Sequence, residues 1–263
     1  MDLQLQDRIA AVAAASKGLG KAVALELLKE GASVAICSRD QTRIEMAAQE
    51  LRAATGRDVL PIVADLTTLE GCQRFIQTTA DHFGGLDILV TNAGGPPSGP
   101  VEGFDDAQWQ AAIQLNLLST VRMVTAALPH IKQSEQGRII AITSISAKQP
   151  LNNLALSNAA RAGVIGYIKS LANELGSTGV TFNAVLPGWT RTARVTELLE
   201  NIAHARSATP EEVEASITAA IPAQRMARPD EFAAVVTFLA SGRASYLNGV
   251  ALQIDGGLSQ SLL

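Results

Sequence analysis

Short apolar runs alternate with longer helical patterns along almost the whole chain, and this rhythm restricts the fold more than any other feature. The runs are Ile9–Ala14, Ser33–Ser38, Val59–Val63, Ile88–Thr91, Gly137–Thr143, Val180–Val185 and Val250–Ile254. Each is continuously apolar rather than alternating, as in strands covered on both faces. Helical patterns occupy Leu19–Glu30, Arg43–Ala54, Leu69–Phe83, Trp109–Lys132 and Asn158–Leu175. Strands joined through helices of one hand give a parallel sheet with helices on both sides. The spacing therefore predicts a doubly wound α/β fold of about seven strands. At 263 residues and 47% hydrophobic, the chain can bury one such core. With no repeat, low-complexity linker or charge run, residues 1–263 read as a single domain.

One stretch breaks the rhythm. Residues 192–221 form a helical insertion between the sixth and seventh strands. Within it, Thr209–Glu212 reads as a helix start, with Thr209 as cap, Pro210 in the first turn and Glu212 reaching back. It reads either as a helix packed on the domain or, as its position at the carboxyl edge of the sheet favours, as a lid over a ligand site.

The net charge of -4 argues against a nucleic-acid surface, which needs a basic patch. The two cysteines, Cys37 and Cys72, fall on a strand and a helix, which suits a reducing compartment rather than a disulfide framework. No signal peptide is expected, and no apolar stretch is expected to reach the roughly 18 residues of a membrane span. These features predict a cytoplasmic location, with no membrane and no nucleic-acid partner. His82, His130 and His204 carry no metal-ligand spacing, so no metal is expected.

The first strand runs into ASKGLG and then a helix. Glycines at such a turn let backbone amides approach a pyrophosphate resting on the positive end of the helix. Further motifs follow in order: ADLT with Asp65 and Leu66, Asn92–Ala93–Gly94, QLNLLST with Asn116, IAITSIS with Ser144, Pro187–Gly188, and LNGVALQIDGG. Together these resemble the short-chain dehydrogenase/reductase family, ketoacyl-carrier-protein reductases in particular, from about Asp7 to Leu258. The resemblance implies a Rossmann-like fold, a nicotinamide cofactor, a small carbonyl or alcohol substrate and a homo-oligomer, dimer or tetramer, paired through helices such as Trp109–Lys132 and Asn158–Leu175. It places the cofactor against Ser16, Lys17, Gly18, Leu19, Gly20, Asp65, Leu66, Asn92, Ala93, Gly94, Pro187, Gly188, Thr190 and Thr192. Where the family turn opens on Thr-Gly, this chain has Ala13–Ala14, and Ala14 would be strained if the turn needs positive φ there.

Cofactor type follows from charge. An acid after the second strand would accept from a ribose 2′-hydroxyl; this chain has Ser38 and Arg39 there, with Lys17 in the glycine turn. Two cations and a hydroxyl suit a 2′-phosphate, so NADP is expected rather than NAD.

The family's Tyr-x-x-x-Lys pair falls on LALSNAARAG, which puts Ser157 at the tyrosine position and Arg161 at the lysine position, the latter also a cofactor contact. The candidate catalytic set is thus Asn116, Ser144, Ser157 and Arg161. Tyr167 lies ten residues beyond Ser157, about 15 Å along a helix. A serine hydroxyl is shorter and a weaker acid than a phenol, and an arginine keeps its proton. Three readings stay open: an NADP-dependent oxidoreductase with a rebuilt proton donor, an NADP-binding sensor or partner subunit, and non-redox chemistry on the same fold. Asn152, Asn153 and Asn158 are expected to crowd the gap left by the tyrosine ring, while Lys148 reads as a solvated loop lysine, the alternative being a replacement cation in the pocket. Trp189 is expected either beside the nicotinamide or as a core plug. Arg191, Arg194 and Arg206 are candidates for recruiting an anion.

Overall fold

A computed structural model describes residues 1–261. Seven parallel strands form one sheet in the order β3-β2-β1-β4-β5-β6-β7. The strands are β1 (Ile9–Val12), β2 (Ser33–Ser38), β3 (Val59–Val63), β4 (Ile88–Thr91), β5 (Arg138–Ile142), β6 (Thr181–Pro187) and β7 (Ala251–Ile254). The order reverses between β1 and β4, so their carboxyl ends diverge and open a crevice where such sheets bind ligands. The fold predicted from the alternating pattern is the fold observed.

Helices α1 (Gly18–Lys29), α2 (Gln41–Thr55) and α9 (Pro229–Ala240) cover one face. Leu27, Ile44, Leu51, Phe232 and Val236 pack there against Val12, Val34 and Ile36. Helices α3 (Leu69–Phe83), α5 (Ser119–Ile131) and α6 (Ala155–Leu175) cover the other. Phe75, Met123, Ala127, Val164 and Ile168 meet Ala11, Ala35 and Leu89 on that side. Neighbouring residues of one strand feed opposite cores, which is why the strands read as unbroken apolar runs.

The pattern read as one helix over Trp109–Lys132 is two. α4 (Asp106–Ile113) and α5 are joined by a wide π turn at Gln114–Leu118, which carries Asn116 inward. A π turn leaves no trace in apolar spacing, and such bulges concentrate at functional positions. The combined helix Asp106–Ile131 has a mean hydropathy of 1.3 over its most apolar window, enough by length and composition to cross a membrane. This corrects the expectation that no segment reaches that length. Gln110, Gln114, Asn116 and Arg122 interrupt the apolar run, whereas the average over the window remains apolar. In the fold, the Met123, Val124, Ala127 and Ile131 stripe is buried against the sheet.

Between β6 and α9, α7 (Ala193–Arg206) and α8 (Pro210–Ala219) fill the insertion. Thr209 and Glu212 form the reciprocal cap, each side chain bonded to the other's backbone N–H at 3.2 and 2.8 Å. The pair encloses a small core of Leu199, Ala203, Val213 and Met226. Helix α9 is absent from the predicted patterns, because its PDEFAAVVTFLA sequence is apolar nearly all round and shows no stripe.

Candidate active site

The glycine turn is built from the end of β1. Ala13 N–H still donates to Val90 of β4 at 3.0 Å, but Ala14 turns to φ 48°, which ends the strand. Position 14 thus has the positive φ at which an alanine is strained. Asn92, just past β4, donates from Nδ2 to the Ala14 carbonyl at 3.4 Å and ties the two walls of the crevice together. A Cβ on Gly20 would stand 2.7 Å from that same carbonyl, so only glycine lets α1 begin this close to the turn. Gly18 has φ 62°. Leu19 packs inward on the core. This Cβ-free cradle at the start of α1 fits a pyrophosphate.

The opposite rim carries charge. Asp65 accepts from the Thr67 N–H and hydroxyl at 2.9 and 2.8 Å, and these bonds, reinforced by the nearby Arg39, hold its carboxyl below the usual range. Leu66 beside it is buried. The Ser38 hydroxyl donates to the Asp40 carbonyl at 2.9 Å, so it is engaged locally rather than open to a phosphate. Lys17 turns to the insertion: its Nζ lies 3.6 Å from Glu197 of α7. A cleft of about 240 Å³ beside the turn is lined by Ser16, Lys17, Lys21, Arg43, Met46, Ala47 and Glu50. Lys21 and Arg43 escaped the sequence reading because both sit on helices whose polar positions look like ordinary solvated faces.

On the far side, Ala93 and Gly94 continue from Asn92 along the rim, Ala93 partly covered and Gly94 exposed. Gly188 follows Pro187 where a Cβ would meet Asp255 at 2.7 Å. Thr190 is buried with its hydroxyl unbonded. Thr192 caps α7, and its methyl would lie 3.8 Å from a Cβ on Gly18. The start of α7 therefore stands directly over the glycine turn.

The catalytic candidates gather at the carboxyl end of β5. Arg161, buried on α6, donates from Nε to the Ser157 hydroxyl oxygen at 3.1 Å. Its Nη1 donates to the carbonyls of Thr143 at 2.8 Å and Ile142 at 3.5 Å, the last turn of backbone before Ser144. Among the described residues no carboxylate pairs with it, and burial pushes its guanidinium down to about 10, still a cation at neutral pH. The Ser144 hydroxyl oxygen accepts from Ser146 N–H at 3.1 Å. Asn116 is buried, donates weakly to Ala112 at 3.3 Å and leaves its Oδ1 without a partner.

Other expectations fail. Asn152 and Asn153 are exposed, and Asn158 exchanges two bonds with the Leu151 backbone at 3.0 and 3.4 Å. These amides build the loop before α6 instead of crowding a pocket. Trp189 packs on the small core under α7 and α8, which makes it a plug. Arg191 is tied to Glu214 and Arg194 to Glu197, so neither is free to recruit an anion. Tyr167 points to Thr125 on α5, away from Ser157, and half-burial raises its pKa. Cys37 and Cys72 are free, with thiols pushed up to about 12 and about 11 by burial, so both stay protonated and inert. Among the described residues no metal-ligating group of three forms.

A family model described as enoyl-(acyl carrier protein) reductase matches residues 13–259. An uncharacterized oxidoreductase of Bacillus subtilis is 36% identical over 271 residues, covering all of both chains. A 3-oxoacyl-(acyl-carrier-protein) reductase of Vibrio cholerae is 34% identical over 97% of this chain and 99% of its own. Among solved structures, L-sorbose reductase from Gluconobacter frateurii, complexed with NADPH and L-sorbose, superposes with a TM-score of 0.95 at 30% identity over the full length of both. The glycine turn, the β1–β4 crevice and these matches converge on one conclusion: the chain belongs to the short-chain dehydrogenase/reductase family.

Proposed function

We propose that this protein is an NADP-dependent oxidoreductase acting on a carbonyl or alcohol substrate, with Ser157 and Arg161 in the places of the family's tyrosine and lysine. The observation that carries it is the 3.1 Å bond from Arg161 Nε to Ser157 Oγ at the carboxyl end of β5. A cation and a hydroxyl there can polarise a carbonyl and stabilise the alkoxide that forms from it, the kind of fixed electrostatic help that is often the largest catalytic contribution. The nicotinamide, when bound, supplies or accepts the hydride. Ser144 orients the carbonyl oxygen through its hydroxyl. Ser157 passes the proton from water, since Arg161 holds its own too firmly to be the source. Asn116, with its open Oδ1, is placed to hold a water of that relay.

Lys17 and Arg39 support NADP over NAD, with Lys21 and Arg43 at the cleft already paired to Glu50 and Asp40, and the NADPH in the sorbose reductase structure agrees with that choice. The ketoacyl reductase relatives point to ketoacyl thioesters, and the sorbose reductase to keto sugars, as substrates to try. Helices α7 and α8 act as the lid, latched to the glycine turn by Lys17 and Glu197. The exposed Tyr246, Leu247 and Leu252 beside edge strand β7, with the half-covered Asp106–Ile131 helix, support self-association. NADPH oxidation against a panel of ketones, ketoacyl thioesters and sugars tests the assignment. Turnover with at least one class is expected; NADPH binding without turnover anywhere would leave a nucleotide-binding protein.

A further inference from the structure

Lys17 is claimed twice. The NADP reading gives its ammonium to a 2′-phosphate, whereas the structure sets that ammonium 3.6 Å from Glu197 Oε1 on α7. The other cations on this side also have carboxylates close by. Lys21 pairs with Glu50, Arg43 lies 3.2 Å from Asp40, and Arg39 stands near Asp65. Those three carboxylates belong to α2, its cap and the loop after β3, so only Lys17 ties the nucleotide side to the insertion. Glu197 has a second partner in reserve. Its Oε2 lies 3.6 Å from Arg194 Nη1, about one turn earlier on α7. The carboxylate therefore bridges two cations and can give up Lys17 without being left unpaired. Both ends of the Lys17 pair are about half exposed, which makes it a weak contact, whereas a phosphate monoester carries more charge and accepts stronger bonds. Thr192 stands over Gly18 at the start of α7. The Lys17 pair lies about a turn and a half further along and holds the body of the helix.

We propose that Glu197 and the 2′-phosphate of NADPH compete for Lys17, so that NADPH, unlike NADH, unlatches the body of α7 from the glycine turn. NADPH takes Lys17, and Glu197 falls back on Arg194. NADH has a hydroxyl in place of the phosphate and leaves the pair intact. The latch rests on the NADP reading and adds a lid residue, Glu197, to those that set nucleotide affinity.

Titration calorimetry with NADPH and NADH at low ionic strength tests the competition, and no turnover is needed. Glu197→Gln removes the charge and keeps the shape. It is expected to tighten NADPH about threefold, the contribution of an exposed ion pair, and to leave NADH unchanged. Glu200→Gln makes the same charge change on the same helix without a pair to Lys17, and should alter neither. In a Lys17→Ala background the gain from Glu197→Gln should disappear. Equal tightening of both nucleotides, an equal gain from Glu200→Gln, or a gain that survives in Lys17→Ala would each overturn the competition. Hydrogen–deuterium exchange at saturating nucleotide reads the release. Peptides from the body of α7 should exchange faster with NADPH than with NADH in the wild-type protein, and at the same fast rate with both in Glu197→Gln. Equal exchange with the two nucleotides in the wild-type protein would overturn the unlatching. Failure of the NADP reading looks different: NADPH and NADH would then bind the wild-type protein alike, and Lys17→Ala would discriminate between them no further. NADPH preferred over NADH, with an affinity unmoved by Glu197→Gln, would sink the latch alone.

Discussion

Two buried arginines stand at opposite ends of strand β5, and their contrast separates structure from function. Arg138 opens the strand at its amino end, donating from Nε to the Ser241 carbonyl at 3.2 Å and from Nη1 to Gly137 at 2.8 Å. Arg161 reaches the carboxyl end from α6. Burial is the main cause of a lowered pKa at both. The difference lies in the neighbours. Beside Arg138 the Ser241 hydroxyl donates to Phe238 at 2.6 Å and is satisfied. Beside Arg161 the Ser157 and Ser144 hydroxyl oxygens accept bonds, from Arg161 and Ser146, and donate to no group among the described residues. A buried cation held by carbonyls at the amino end of the sheet is a strut against α9; one at the carboxyl edge, bonded to a serine hydroxyl, stands where such sheets bind ligands.

The sharpest way to break this comparison is to remove each cation in turn. Arg161→Met should lower carbonyl reduction by about 10² to 10³, the cost of losing a positioned oxyanion donor, with KM for NADPH changed far less. Steady-state kinetics at saturating NADPH measures it, and an unchanged kcat would make Arg161 a second strut. Arg138→Met should do the reverse. Unpartnering the Gly137 and Ser241 carbonyls should cost about 2 kcal/mol, or about 4–8 °C in Tm for a domain of this size, with kcat intact. Calorimetry and a rate measurement on the folded fraction check both halves of that statement.

Smaller effects sharpen the nucleotide side. Arg39→Ala and Lys17→Ala should each weaken NADPH about tenfold by removing one charge-assisted contact to a 2′-phosphate, and leave NADH affinity unchanged. Titration calorimetry with both nucleotides reads the ratio, and equal losses would mean that these cations do not discriminate. Ala14→Gly relieves a residue held at φ 48° and should raise stability by up to about 1 kcal/mol, the left-handed strain less the extra chain entropy of glycine. A fall in chemical-denaturation midpoint would show that the turn is not strained.

The fold was legible because strand and helix periods survive in sequence wherever a face is buried on both sides, as in SVAICS and VLPIV. The glycine turn was legible for a related reason: Gly20 has no room for a Cβ, so the requirement is written in the residue type. Three things were not. The π turn at Asn116 changes hydrogen bonding without changing spacing. Helix α9 is apolar nearly all round in sequence and has no polar stripe to set its phase. The fates of Asn158, Arg191 and Trp189 depend on partners far away or in backbone, namely Leu151, Glu214 and the small core under α7, which no local pattern encodes. The altered pair was visible as two residue types, Ser157 and Arg161, but the bond between them and the β5 carbonyl that holds Arg161 are set by tertiary packing.

The central claim is that this chain moves a hydride with Ser157 and Arg161 where a tyrosine and lysine would be expected. A single-turnover reaction with NADPH deuterated at the transferring position, read by mass spectrometry of the product, tests it most directly. The account predicts an alcohol carrying a single deuterium from the wild-type protein, formed at least about a hundredfold more slowly by Arg161→Met. Tight NADPH binding with no labelled product from any ketone, ketoacyl thioester or sugar would contradict it.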